Sequence, residues 1–437
     1  MQRTRRAALL VGLGLVIVLG TLVVGALTAP SLATVTDGNE STLVGSQSTS
    51  GSWNEAGAVF ELQGADVTWR INPANNVFDV TQLENGSVMY AFETGGYETG
   101  CEPYDPPCHK TGYRVVDPNG SGDAELLSEY TFPIRYATNS EVHAADHVSG
   151  DEFVVADMEH ERVFTVEHGE ITWQWNASER YTPPDDPTRN DWLHINDVDA
   201  INGTHFLVSV RNANQLLVLE RGEGVVEVIN QDTDDSNDAR CKEKLFSGEN
   251  DDVRCGDPNV LNRQHNPQWL GEGAVLVADS HGHRAVELHR NETTGQWEET
   301  WAVGKAAGVG FTWPRDADRL PNGNTLITDT HNVRVVEVAP NGSTVWSVNT
   351  FDIPYEADRL PHGEPVGAPT IENGTVAEQN DDEIPLFTEA ALGARGEFDF
   401  VPVWFRGPHL LGIAAGVLIV LVGGLYGGYG YWRERGD

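Results

Sequence analysis

Cysteine and lysine are both scarce in this chain, and each scarcity excludes something. The four cysteines form two local pairs, Cys101/Cys108 and Cys241/Cys255. None of their spacings is the two to four residues usual between zinc ligands, which argues against a four-cysteine zinc site. Outside a cell the pairs are expected to close two short-loop disulfides. Few of the 28 basic residues are lysines; they face 66 acidic ones, for a formal net charge of −38. Such a field repels phosphate, so nucleic acid is excluded as a partner. On a chain with well-formed strand patterns, this acidity suits very high salt, where the Debye length is about 3 Å at 1 M and repulsion is screened. A halophilic source is inferred.

Long apolar runs lie at the two ends. Residues 7–26 follow Arg3, Arg5 and Arg6, and residues 409–431 precede Arg433 and Arg435. Each reaches the roughly 20 residues that cross a bilayer core. The basic residues flank both runs on their outer sides, which predicts a membrane-embedded protein with both termini cytoplasmic and the middle extracellular. The alternative for the first run is a cleaved signal peptide, with Ser31-Leu32-Ala33 as a small-residue site and Thr4-Arg5-Arg6 resembling a twin-arginine signal. Gly412/Gly416 and Gly424/Gly428 have the spacing that lets helices approach closely. Eight Asn-x-Ser/Thr sequons, at Asn39, Asn85, Asn119, Asn176, Asn202, Asn291, Asn341 and Asn373, fit a glycosylated outer surface.

What fills the middle is a repeat. An apolar strand, a polar turn, a strand ending in Asp, a five-residue step and an Arg opening a third strand recur along the chain. The clearest copies are FTWPRDADRLPNGNTLITDTHNVRVVEV (311–338) and NRQHNPQWLGEGAVLVADSHGHRAVEL (262–288). A third spans 141–166, and 192–220 fits with one inserted residue; weaker copies start near Phe78 and Tyr355. Complete units end in a Trp-containing strand, GEITWQW, TGQWEETW or NGSTVWSV. The unit at Tyr355 lacks one, and an orphan of that type, FELQGADVTWRI (60–71), precedes the first unit. Six units of 40 or more residues with short strands and Gly-Asn turns predict an all-β, six-bladed propeller flanked by two transmembrane helices. The N-terminal strands are expected to complete the last blade, which removes exposed sheet edges. The organisation is then a signal-anchor helix (1–33), a Ser/Thr/Gly linker (34–57, with 41–52 as a tether), the propeller (58–376), an acidic stalk (377–406) and a second transmembrane helix (407–432).

In such a ring the innermost strands line a channel, so one repeat position converges from all blades. Fourteen residues before each Asp that position reads His143, His265 and Arg315, and by template Phe78, His194 and Tyr355. Three imidazoles and a guanidinium there are suited to an oxyanion and to proton or group transfer. The plainer reading is that a polar residue here bonds the backbones of adjacent blades. A second column, Arg162, Gln215, Arg284 and Arg334, follows the Asp by five, a spacing suited to blade-to-blade struts. Arg284, in SHGHR, is singled out as an anion-binding exception.

DWLHINDVDAINGTHFLVSVRN (191–212), NRQHNPQWLGEGAVLVADS (262–280) and WPRDADRLPNGNTLI (313–327) resemble the Trp-x-His-x-Asn, Gln-His and Trp-Pro…Pro-Asn-Gly-Asn segments of the arylsulfate sulfotransferases, over about 60–375. The resemblance implies a six-bladed propeller that moves a sulfuryl group from an aryl sulfate to a phenol or other hydroxyl acceptor through a sulfated histidine, without a nucleotide cofactor. It implies His194 and His265 as channel-mouth histidines and Arg284 as the sulfate-holding arginine; beside them His143, Arg315, Arg211 and Tyr355 are expected to bind substrate. The family's further histidine falls by repeat position near Arg315, which is no nucleophile. His331, which the register puts at another strand end, is the substitute. Either His265 or His331 is the nucleophile, or the pocket has outlived the transfer.

Residues 322–342 also resemble the NHL-type propeller repeat, which implies a surface module binding a glycan or protein. DTDDSNDARCKE (232–243) has carboxylates spaced as in a calcium loop but lacks its central Gly. The expectation is an acidic surface run, with no metal ligand set assigned. His281 and His283, which with His265 have the makings of a zinc set, are read as ending a strand.

Overall fold

The computed structural model describes residues 2–29, 40–49, 56–118, 124–232, 255–350, 352–371 and 404–435, with single positions between 387 and 401. The chain divides into two units, one made of residues 1–31 and 380–437, the other of residues 32–379.

Among the described residues the larger unit contains six four-stranded antiparallel sheets and one short two-stranded hairpin. Five sheets run outward in chain order or its reverse, at residues 76–134, 145–176, 195–229, 265–303 and 314–349. They are blades one to five, and blade six closes the ring. Its innermost strand, Asp352–Arg359, pairs with Ser41–Thr49, which pairs with Gly57–Gln63 and then Asp66–Ala74. The predicted closure is found, with one correction. Ser41–Thr49, in the stretch read as a tether, is the second strand of this blade, wedged between the C-terminal strand and the segment expected to pair with it. Leu43 and Val44 bury fully in that position, which composition alone concealed.

Tryptophans on outer strands explain the recurrent Trp. Trp175 packs with Trp192 and Phe206 of blade three, and Trp301 with Phe311 and Ile327 of blade five. Trp346 packs with Phe60 and Ala357 of blade six. Each is fully or nearly fully buried, so each fills the wedge between its own blade and the next. The sequons at Asn85, Asn202 and Asn341 have a local cause. Each Asn side-chain oxygen accepts from the backbone N–H and the hydroxyl two residues on, at 2.6–3.0 Å, which closes a hairpin tip. Asn322 does the same to Asn324 N–H without a hydroxyl, so the turn selects Asn and the sequon comes with it.

The Asp–Arg column links strands within a blade, which corrects its expected role between blades. Asp279 pairs in register with Arg284, Asp329 with Arg334 and Asp157 with Arg162. Struts between blades include the buried pairs Arg319–Glu287 and Arg359–Glu337, at 2.8 and 2.7 Å, with each guanidinium laid over Trp301 or Trp346.

Cys101 and Cys108 form a disulfide. Cys255 is disulfide-bonded as well, and Cys241, its expected partner, lies outside the described residues. The calcium-like run and the acidic stalk also lie outside them, apart from Asp232 and scattered positions.

In the smaller unit, helices α1 (Gln2–Thr28) and α2 (Gly407–Arg435) each carry a stretch long and apolar enough to cross a membrane, with mean hydropathy of 2.8 and 2.3. They pack antiparallel. A Cβ at Gly416 would lie 2.6 Å from Val18 Cγ2 and one at Gly412 2.6 Å from Thr21 Oγ1, so only glycine lets the backbones meet there. Gly424 and Gly428 face nothing; Gly423 and Gly427, one residue earlier, take that place against Leu10 and Ala7. Seven residues from Gly416 is nearly two full turns, whereas eight rotates a further 100° off the contact.

Candidate functional site: an imidazole and guanidinium ring at one channel mouth

Four of the six innermost strands begin beside an irregularity in their ladder, between Val77 and Val80, Ile195 and Asp197, His265 and Pro267, and Pro314 and Asp316. Such bulges re-aim side chains. Here they flank the repeat position and its six residues meet. The His143 ring lies 4.2 Å from Phe78, 5.2 Å from Tyr355 and 5.6 Å from His194 between centroids, and His265 lies 6.0 Å from Tyr355. The Arg315 guanidinium sits 4.8 Å over the Tyr355 ring and bonds Gln47, on the strand mistaken for a tether.

The entry loops are held in unusual backbone conformations. His194, Arg263 and Trp313 all have positive φ, at 57°, 50° and 54°, a region L-residues rarely occupy. Glu161, fully buried, stabilises the first of these loops by accepting the N–H groups of Leu193, His194 and Ile195 at 2.7–3.0 Å. Asp279 and Asp329 likewise accept Asn262 N–H and Thr312 N–H at 2.8 Å, three residues before His265 and Arg315. The Asp column therefore positions the ring column.

Hydrogen bonding separates the three histidines. The Ser280 hydroxyl lies 2.6 Å from the Pro314 carbonyl oxygen, to which it can only donate. Toward His265 Nδ1, at 2.7 Å, it must accept, and the Arg263 carbonyl at 3.2 Å also requires a proton there. His265 therefore carries its hydrogen on Nδ1 and keeps its lone pair on Nε2. His194 donates from Nδ1 to Asp191 at 2.5 Å, and its Nε2 accepts from Arg211 at 2.6 Å. His143 Nδ1 shares a 2.9 Å bond with the Tyr355 hydroxyl, and its buried Nε2 has no hydrogen-bond partner among the described residues.

Burial, then the neighbouring Arg315 and Arg211, pushes His265 well below the ordinary histidine value. His143 is pushed the same way by burial and then by His194 and Arg315. Burial lowers Arg211 to about 10, with Asp191 opposing. Burial and then Arg263 lower His281, in the loop above, to about 3. A protein of net charge −38 thus gathers arginines and neutral imidazoles at one channel mouth, an arrangement suited to an anion.

One expected member lies away from the mouth and another is nearer to it than its register implied. Arg284 does not join the ring. Its guanidinium donates to Asp279 at 2.9 Å, Glu299 at 2.6 Å and the Asn259 and Val260 carbonyls, two strands out from His265. Replacing Arg284 with Met should destabilise the propeller by about 3–5 kcal/mol, because Asp279 is left buried and unpaired. Thermal melting checks this, and an unchanged melting temperature would remove the strut role. His331 stacks on Trp313 at 5.1 Å, beside His281 at 4.5 Å from the same indole. Asp329 pairs with Pro314, so this turn lies at the ring end of blade five, and the register that placed it at another strand end is corrected. Asp191, Ser280, Gln47 and Glu161 were not anticipated. Only Asp191 had a sequence signal, three residues before His194.

No family model matches the chain, and no curated protein matches it. Among solved structures it is similar to a protein of unknown function from Bacteroides caccae, at 14% identity over 74% of this chain and 99% of that one, with a TM-score of 0.48. It is similar to the periplasmic gluconolactonase of Pseudomonas aeruginosa, at 12% over 75% and 99%, TM-score 0.42. A virginiamycin B lyase from Staphylococcus aureus aligns at 10% over 77% and 90%, TM-score 0.37.

Proposed function

We propose that this chain transfers a sulfuryl group from an aryl sulfate ester to a hydroxyl acceptor, with His265 as the nucleophile. The observation that carries the reading is the Ser280–Pro314 relay, which leaves the His265 lone pair on Nε2. In the first half-reaction Nε2 attacks sulfur, the sulfur–oxygen ester bond breaks, and its electron pair leaves on the phenolate. Arg211 and Arg315 offset charge on the sulfuryl oxygens, as guanidinium groups do in phosphoryl transfer. The sulfated ring, cationic with its Nδ1 proton retained, stays anchored to Ser280 and the Arg263 carbonyl. In the second, the acceptor oxygen attacks sulfur, the nitrogen–sulfur pair returns to Nε2, and the acceptor's proton passes to His143. His194 acts as a positioning residue for Arg211. In the same proposal α1 and α2 anchor the protein with both termini cytoplasmic and the propeller outside, an orientation supported by the basic flanks.

Incubation in high salt with 4-nitrophenyl sulfate should release nitrophenolate faster when a phenol is added, and form the acceptor's sulfate ester. A depressed histidine stays unprotonated as pH falls, so the rate should hold below pH 6.5 rather than drop through it. Absence of turnover would hand the pocket to an anion-binding surface module. An acidic limb above pH 6.5 would remove His265 as the nucleophile.

A further inference from the structure

One step down the channel from the ring, the lining changes sign. Asp79, Asp197, Asp316 and Glu356 come next on their strands, then Asp199, Asp318 and Asp358, with Glu364 reaching back from the loop after blade six. Several of them border a cavity of about 180 Å³ together with Asn266, Gln268 and Trp269. One oxygen each from Asp316, Asp318 and Glu364 converge, all within 4.8 Å of one another.

Clustered acids alone would be unremarkable on so acidic a protein, but these are not at its surface. Asp316, Asp318 and Asp358 are fully buried and Asp197 is 4% exposed. Both Asp318 oxygens have no hydrogen-bond partner among the described residues, and neither do Asp316 Oδ1, Asp358 Oδ1, Asp197 Oδ2 or Glu364 Oε1. Asp197 and Asp358 stand outside the converging three. Burial, then the neighbouring Asp316 and Glu364 carboxyls, pushes Asp318 well above the ordinary aspartate value. Buried carboxylates without a donor are costly, and either a bound cation or shared protons relieve that cost.

We propose that Asp316, Asp318 and Glu364 bind a calcium ion in the propeller channel. The donor set is oxygen only, which selects a hard cation over zinc or copper. Oxygens lying within 4.8 Å of one another can meet on an ion held at about 2.4 Å, and calcium accepts irregular oxygen geometries that magnesium's strict octahedron does not. The ion would tie blade five to the loop carrying Glu364, directly beneath the ring. This proposal stands independently of sulfuryl transfer.

The full chain, in detergent and high salt, is stripped with EDTA and titrated with terbium(III), which occupies calcium sites and emits when a nearby tryptophan is excited. Trp269, on the cavity wall, is the expected sensitiser. Saturable emission displaced by calcium is expected, and Asp318→Asn or Glu364→Gln should weaken terbium binding about tenfold or more. Calcium should raise the Tm of the wild type and leave both variants unmoved. The readout is the calcium-dependent increment, because replacing a buried acid changes stability by itself. If Asp318→Asn fails to fold, Glu364→Gln, on a loop, carries the comparison. No calcium-dependent Tm change in the wild type, or binding indifferent to both substitutions, would overturn the site and leave the carboxyls sharing protons.

Discussion

His265→Ala should lower sulfuryl transfer by about four to six orders of magnitude, the loss seen when a nucleophile is removed outright. The domain should remain folded, because the ring lies at the channel mouth and the wedges between blades are filled by other residues. Ser280→Ala separates tautomer control from nucleophilicity. It leaves the Arg263 carbonyl as the remaining Nδ1 partner, so activity should fall by about 10–100-fold, as for other groups that orient a histidine. Donor cleavage without acceptor, acceptor-ester formation and circular dichroism are measured on all three proteins. Wild-type rates in His265→Ala would move the nucleophile to another histidine of the mouth, with His331 on Trp313 next in line. A Ser280→Ala loss equal to that of His265→Ala would point to collapse of the site.

The second large effect concerns closure. A chain beginning at residue 57 should not form a stable propeller, whereas one beginning at residue 34 should. The shorter chain lacks Ser41–Thr49, so Asp352–Arg359 and Gly57–Gln63 lose their common partner and blade six has two unpaired edges. Burial of Leu43 and Val44 alone contributes about 3–6 kcal/mol. A typical domain has about 5–15 kcal/mol in total, before the two lost ladders are considered. Arg359 would also lose the Thr42 hydroxyl it holds at 2.6 Å. Thermal melts in high salt and size-exclusion chromatography distinguish the outcomes. A cooperative melt at the same temperature for both chains would show that the strand is dispensable.

These expectations separate along the line between pattern and partner. Strand period and turn chemistry are local, and every blade repeats them. Fourteen residues before a strand-ending Asp is therefore a fixed place in a blade, and radial repetition brings Phe78, His143, His194, His265, Arg315 and Tyr355 to one mouth. The six blades, the closed ring and the two apolar terminal helices were legible for the same reason. Ser41–Thr49 was not, because a strand rich in Ser, Thr and Gly looks like a tether until both neighbours are in place.

What only the tertiary structure decided is where long or charged side chains end. An arginine reaches whichever acceptors lie within several ångströms of its strand, and its spacing in the sequence does not name them. Arg284 had a repeat position and was spent on Asp279 and Glu299, while Arg211, with no repeat signal, reached His194. The proton on His265 depends on a serine 15 residues away and a carbonyl 49 residues away. The carboxylate layer beneath the ring read as ordinary acidity until the blades turned it inward. Repetition along the chain determined which residues share the channel, and packing determined which of them meet a partner, because a contact depends on distances that one-dimensional spacing does not contain.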